Sequence, residues 1–410
     1  MSEKLTVKNV VNINKSTLSA KDNWSTLKYL DTGNITENQI DTLQIFQKGE
    51  KLPSRAKRKV EKGTIIYSTV RPNQKHFGYF DTHSNDLVVS TGFATLDVID
   101  PRINSKYLYY LLTQNSVISQ LQSIGENSTS SYPSIRPEDI GNLSFVFPDI
   151  DIQNKIADIL TSIDKKIQIN NQINQELEAM AKTLYDYWFV QFDFPDQNGK
   201  PYKSSGGKMV YNPELKREIP EGWGADSLWN IANFYNGLAM QKYRPDTNED
   251  DYLPVIKIRE MMNGFSKDTE RARLDIPSEA VLDRGDILFS WSATLEVIIW
   301  GKEKGALNQH IFKVTSDTYP KSFIYFELKS YLKVFKAIAE LRKTTMGHIT
   351  QDHLKQAKIV VPPIELISKL DAKLQLIMLK QQILENQNQE LTQLRDWLLP
   401  MLMNGQVKVE

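Results

Sequence analysis

The chain repeats itself. At an offset of 214–222 residues, Gly63-Thr-Ile-Ile-Tyr-Ser68 returns as Gly285-Asp-Ile-Leu-Phe-Ser290. Tyr107-Leu-Tyr-Tyr-Leu-Leu112 returns as Phe323-Ile-Tyr-Phe-Glu-Leu328, and Leu143-Ser-Phe-Val-Phe-Pro148 as Ala357-Lys-Ile-Val-Val-Pro362. The first pattern predicts a glycine-opened strand, the second the start of a helix, and the third a strand closed by proline. A long helical segment follows each copy. With 410 residues and about 100–200 residues per domain, the chain has length for two or three cores. The expected architecture is therefore a tandem duplication of one α/β (α+β) unit, at residues 1–150 and 221–363. Long helices are expected at 151–190 and 364–410, with a turn-rich linker at 191–220.

The helices carry a seven-residue period. Ile156, Ile163, Leu177 and Leu184 share one row of the first, with Leu160, Ile167 and Trp188 on the companion row. Leu370, Ile377, Leu384, Leu391 and Leu398 share one row of the second, with Leu374 and Leu402 as companions. A period sustained over several heptads predicts a coiled-coil seam. Asn174 and Asn388 take equivalent seam positions, where a polar residue can fix register. Pro400 is expected to disturb the last turn, and Asn404-Gly405 to end that helix with a left-handed cap. Asp149 and Asp151 are the expected caps of the first helix, and Pro362-Pro363 precede the second.

Catalytic signals are sparse. The chain has no cysteine, so thiolate zinc sites and cysteine nucleophiles are excluded. The five histidines lack metalloprotease spacing, and Gly206-Gly-Lys208 lacks the remaining residues of a phosphate loop. Pro195-Asp196 with Glu214-Leu-Lys216 fits a loose nuclease pattern in which carboxylates hold a divalent metal. It falls in the expected linker, where solvated charges are the simpler reading. No metal and no cofactor is expected on this chain. The polar start and the lack of any apolar run near 20 residues predict a cytoplasmic protein without membrane contact.

A binding surface remains. Residues 48–62 hold seven basic side chains (Lys48, Lys51, Arg55, Lys57, Arg58, Lys59, Lys62) against Glu50 and Glu61. Such a run can displace counterions from phosphates, and Arg55, Lys57 and Arg58 are its central candidates. Arg71, Asn73, Gln74 and Lys75 follow, offering side chains that pair with guanine and adenine edges. Tyr132 and Arg136 lie in a polar loop before a short helix. The second copy offers Trp291, Asn308, Gln309 and His310 in comparable stretches, with Lys343 and His348 in the second polar loop. The copies differ most in these loops, which suggests two different targets. Fifty basic and fifty acidic residues sum to zero charge, which argues against a generally basic nucleic-acid binder.

This layout resembles the specificity subunit of type I restriction-modification systems over essentially the whole chain. The resemblance rests on Leu52-Pro-Ser-Arg-Ala56, Gly63 to Asn73 and Ser90-Thr-Gly-Phe93, and on the run Trp188 to Asp196 continuing through Gly199 to Gly207 and Ile219 to Trp223. In the second copy it rests on Gly285 to Ser292 and Ala306-Leu-Asn-Gln-His-Ile-Phe312. It implies two target-recognition domains, each reading one half of a bipartite double-stranded DNA site, with the long helices paired antiparallel as a spacer. It also implies two methyltransferase subunits as partners, which methylate adenine with S-adenosylmethionine, and ATP-driven, magnesium-dependent restriction subunits in the full complex. The chain itself would be a non-catalytic recognition subunit. The competing reading is a coiled-coil scaffold without sequence-specific DNA contact.

Overall fold

The structure is a computed structural model describing residues 4–19, 21–83, 86–128, 131–246, 251–266, 268–341, 348–407 and 409. It contains two compact units, Met1–Gln168 with Asn388–Glu410, and Ile169–Gln387. The division falls inside both long helices, Ile150–Tyr185 and Ile364–Met403, because each globular portion packs on one half of each helix. Among the described residues no helix is long and apolar enough to cross a membrane.

Unit one holds two four-stranded sheets. One runs in the order Val11–Ile13, Phe93–Val98, Ile65–Ser68, Phe77–Tyr79, all antiparallel. The other runs Gln44–Gln47, Thr26–Leu30, Leu87–Ser90, Ala56–Lys59, with one parallel pair in the middle. The strand Ile65–Ser68 is buried throughout because alternate side chains serve different layers. Ile65 and Tyr67 join Tyr107, Leu108 and Leu112 of the helix Ser105–Leu112, whereas Ile66 packs with Leu30, Val89 and Phe93. Burying each such side chain is worth about 1.5–3 kcal/mol.

Unit two repeats this topology. Its first sheet runs Asn233–Asn236, Ile311–Thr315, Ile287–Ser290, Glu296–Ile299, again all antiparallel. Its second runs Arg271–Ala272, Leu253–Ile256, Gly305–Leu307, Val281–Leu282, again with one parallel pair. Gly63 and Gly285, which open the corresponding core strands, both sit at positive φ, 92° and 89°. That conformation favours glycine. One difference is helical: Ser105–Leu112 and Asn115–Glu126 are two helices in unit one, where unit two has the single helix Lys321–Leu341.

Within each unit the two long helices pair antiparallel. In unit one Ile156 and Leu160 share a core with Leu398 and Leu402. In unit two Ala181, Leu184 and Tyr185 share one with Leu370, Leu374 and Ile377. Every seam residue named from the sequence is buried or half-buried, including Ile163, Leu177, Leu384 and Leu391. The fully buried seam amide is Asn170, on the same row as Ile163 and Leu177, and it donates to Gln387 at 2.9 Å. Asn174 is half-buried and accepts from Gln381 through its backbone carbonyl at 3.3 Å, while Asn388 is half-buried in unit one.

Three expectations need correction. Pro400 does not break the C-terminal helix, which continues to Met403. Only one N–H is missing near the helix end, and Leu402 is buried in the unit-one core. A Schellman cap then closes it, with Gly405 at φ 67°, Gly405 N–H on Leu402 O and Gln406 N–H on Met401 O. At the other helix start Asp149 stands in the expected N-cap place, its backbone carbonyl taking the N–H groups of Ile152 and Gln153. Asp151 instead lies inside the first turn, and buried Gln153 ties that turn to Arg102 and Asn104. Finally, 191–220 is not an open linker. Met209–Asn212 pairs with Arg217–Pro220 as a hairpin, and Phe194 stacks between Tyr202 and Trp223 at 4.6 and 5.0 Å. Aromatic residues inside a turn-rich stretch supply enough burial to order it.

The central helix ends in a π turn at Asp186–Val190. There the Tyr185 hydroxyl donates to Glu327 at 2.5 Å. Burial pushes the Glu327 carboxyl up to about 7, with Tyr185 and Arg217 opposing the shift. The folded state then binds more protons than the unfolded chain between the ordinary value of 4.5 and about 7. Stability contributed by this group is complete below 4.5 and is lost as pH rises through 7. Glu327→Gln is expected to leave stability unchanged at pH 4 and raise it by about 3 kcal/mol at pH 8, measured by denaturant unfolding at both pH values.

Candidate nucleic-acid interface

In unit one three loops converge. Thr69, just past the core strand, donates its N–H to Gly92 O at 2.9 Å and accepts from Ile135 N–H at 2.9 Å. Arg71 N–H donates to Pro133 O at 2.8 Å. The loops 69–75, 90–92 and 131–135 are thereby held as one junction. Arg71 and Lys75 flank a single 3-10 turn, Pro72–Gln74, and both adopt left-handed backbone, φ 47° and 58°. Such residues cost about 1–3 kcal/mol each and persist only when their surroundings hold them. Here Gln122 of the neighbouring helix accepts Asn73 N–H at 3.2 Å. The result is an exposed tip presenting Arg71, Asn73 and Gln74, with the Arg71 guanidinium 5.6 Å from the centre of the Tyr132 ring.

Unit two builds the same junction from other side chains. Trp291 N–H donates to His310 O at 3.4 Å, and Trp291 O accepts from Ile349 N–H at 2.8 Å. Val70 bridges Ser134 in unit one, and Ser292 bridges His348 in unit two. Ala293 takes the left-handed conformation that Arg71 takes, φ 55°. The Trp291 ring is 5.7 Å from His310 and 6.2 Å from His348, and its Nε1–H donates to Asn236 at 3.0 Å. His310 Nδ1 lies 3.3 Å from Ser292 Oγ, and Gln309 Nε2 lies 3.3 Å from His310 Nε2. Where unit one offers a guanidinium on a tyrosine, unit two offers an indole between two imidazoles. Both arrangements can stack on or hydrogen-bond to bases.

The candidates thus divide. Arg71, Asn73, Gln74 and Tyr132 come together, as do Trp291, Gln309, His310 and His348. Lys75 closes its turn and pairs with Glu37. Arg136 is exposed at the start of the helix Pro137–Gly141. Asn308 is a correction: at 4 % exposure it stands where buried Ser90 stands, and its backbone is bonded to Ile256, so its side chain is not offered to a ligand. Lys343 lies outside the described residues. Thr91 and Asn236 were missed, although Thr91-Gly92 aligns with Gln309-His310 once the junction is seen.

The basic run is divided too. Arg55 and Lys57 are exposed, in the turn and strand beside the junction, and Arg55 O accepts Thr91 N–H at 2.9 Å. Arg58 is half-buried, with its Nε enclosed and unpartnered among the described residues. Lys59 is neutralised by Asp22, whose carboxyl it holds below the usual range. The nuclease candidates make local contacts. Asp196 accepts the N–H groups of Asn198 and Lys200, and Glu214 pairs with Lys358 at 3.3 Å.

The family model described as the type I restriction modification DNA specificity domain matches residues 2–179 and again 220–393. The type I restriction enzyme HindI specificity subunit of Haemophilus influenzae is 27% identical over 438 residues, covering 92% of this chain and 94% of that protein. The MjaIX specificity subunit of Methanocaldococcus jannaschii is also 27% identical, over 398 residues, covering 93% and 84%. Among solved structures, the type I restriction-modification S subunit from M. genitalium aligns with a TM-score of 0.53 at 15% identity, covering 98% of this chain and 95% of that one, a likeness of fold. With both repeats matched and most of its length covered, the chain belongs to the type I restriction-modification DNA specificity family.

Proposed function

We propose that this protein is the subunit that gives a type I restriction-modification complex its DNA sequence specificity, with each unit reading one half of a bipartite double-stranded site. One observation carries the reading. A junction of three loops is built twice on the same backbone hydrogen bonds, with different side chains at its exposed tips. A repeated frame with exchanged tips is how one scaffold reads two sequences, because phosphate and backbone contacts position while side chains on base edges specify. Arg55 and Lys57 supply the positioning charge in unit one. Two methyltransferase subunits, carrying S-adenosylmethionine, and restriction subunits using ATP and magnesium are the proposed partners, and the reacting groups belong to them. DNA binding by the isolated chain is then weak, and the assembled complex binds tightly.

The experiment is a salt titration of the assembled complex on its DNA. Arg55→Glu with Lys57→Glu is expected to weaken binding uniformly across sequences, and to reduce the slope of log K against log salt by about one for each phosphate that is no longer neutralised. Binding that ignores both salt and these substitutions would favour the scaffold reading.

A further inference from the structure

The C-terminal helix sends one cation into unit one. Arg395 lies on the companion row of the heptad, between Asn388 and Leu402, and its side chain is only 18% exposed. Its Nη1 donates to Asp164 at 3.2 Å and its Nη2 to Asp396 at 2.9 Å. The same Nη2 is 3.6 Å from Glu37 Oε2. The other Glu37 oxygen pairs with Lys75 Nζ at 2.5 Å, and Glu37 N–H donates to Lys75 O at 2.9 Å. Asp164 also takes the Tyr110 hydroxyl at 2.7 Å. These groups line a cavity of about 170 Å³.

Lys75 is the last residue of the strained turn that presents Arg71, Asn73 and Gln74. Glu37, itself at φ 46°, holds that residue by side chain and backbone together. Arg395 in turn holds Glu37. Without Arg395, Glu37 Oε2 loses its neighbouring charge and the carboxylate is fixed by Lys75 through one oxygen only, free to turn about that contact. A reading tip is only as well placed as the groups that support it.

We propose that Arg395 and Glu37 are positioning residues for sequence reading, so that the C-terminal helix, distant in sequence, sets the geometry of the tip at 71–75. The inference rests on unit one being a DNA reader. Neither residue needs to touch DNA. The effect is therefore local to one half-site and is expected with native hydrogen-exchange protection across unit one, which a merely structural role would lower.

The test uses the complex assembled with its methyltransferase subunits and a DNA library randomised in both half-sites, read out as methylated sequences. The half-site read by unit one is the one that responds to Arg71→Ala. Arg395→Ala and Glu37→Gln are expected to lower discrimination there by roughly 3- to 30-fold and leave the other half-site unchanged. Arg395→Lys, which keeps the charge, is expected to recover part of the loss. Equal relaxation of both half-sites, or unchanged discrimination in both variants, would overturn the proposal. A native complex that methylates without any bipartite preference would overturn the DNA-reading assignment itself, and this inference with it.

Discussion

Gly237→Ala is expected to lower the unfolding temperature of unit two by about 6–12 °C. A Cβ at this position would stand 2.2 Å from the Asn308 carbonyl oxygen and 2.5 Å from both the Asn308 carbonyl carbon and the Leu307 oxygen. All three are backbone atoms, so no side chain can swing aside. The strand bearing Asn236 must move instead, and with it the N–H of Gly237 on Ile311 O and the Leu238 carbonyl on Gln309 N–H. Overpacking of this kind costs about 3 kcal/mol, and a unit of roughly 200 residues loses about 2–4 °C per kcal/mol. Because Asn236 holds the Trp291 indole, the substitution also dismantles the unit-two tip. Hydrogen exchange followed peptide by peptide is expected to show lost protection in unit two and native protection in unit one. Gly33→Ala, with no atom within 4 Å of the new methyl, serves as the control and is expected to change stability by less than about 0.5 kcal/mol. An unchanged melting temperature for Gly237→Ala would mean that the backbones do not approach as closely as described.

Arg71→Ala and Trp291→Ala are each expected to relax one half-site and spare the other. Removing a good base contact costs about 1–3 kcal/mol of discrimination, roughly 5- to 150-fold at the affected position. Arg71 has a second role, since its left-handed backbone shapes the turn. Arg71→Gly separates the two, because glycine accepts that conformation without strain while deleting the guanidinium. Equal relaxation in Arg71→Gly and Arg71→Ala assigns the effect to the side chain. Retained discrimination in Arg71→Gly alone assigns it to strain. A uniform loss across all sequences would place Arg71 or Trp291 on phosphates. The readout is the sequence profile of methylated sites from a randomised library.

Much of the architecture was legible in the sequence because it is periodic or repeated. The heptad rows were visible from spacing, and the glycine-opened strands from self-comparison. Long-range polar pairing was not legible. Asn170 stands on the heptad row between Ile163 and Leu177, and its pairing with Gln387, 217 residues away, makes it the buried amide of the seam. Arg395 was also on a heptad row, between Asn388 and Leu402, and a cation in a seam was itself a signal. The turn-rich stretch 191–220 misled because turn formers dominate its composition, while Phe194, Tyr202 and Trp223 decide its packing. At the tips, residue chemistry was legible in the sequence and burial was not. Asn308 had suitable chemistry, but its alignment with Ser90 places it inside. Tips came together correctly where the backbone pattern after the core strand recurred, at Thr69 to Arg71 and Trp291 to Ala293.

The central claim is that one frame, duplicated, reads two half-sites. Its most direct test is to map methylated adenines in DNA modified by this protein together with its methyltransferase subunits. The account predicts a bipartite motif, two specified segments separated by unread base pairs, in which exchanging residues 1–150 for those of a relative replaces one segment only. A single continuous motif, or an exchange that alters both segments at once, would contradict it.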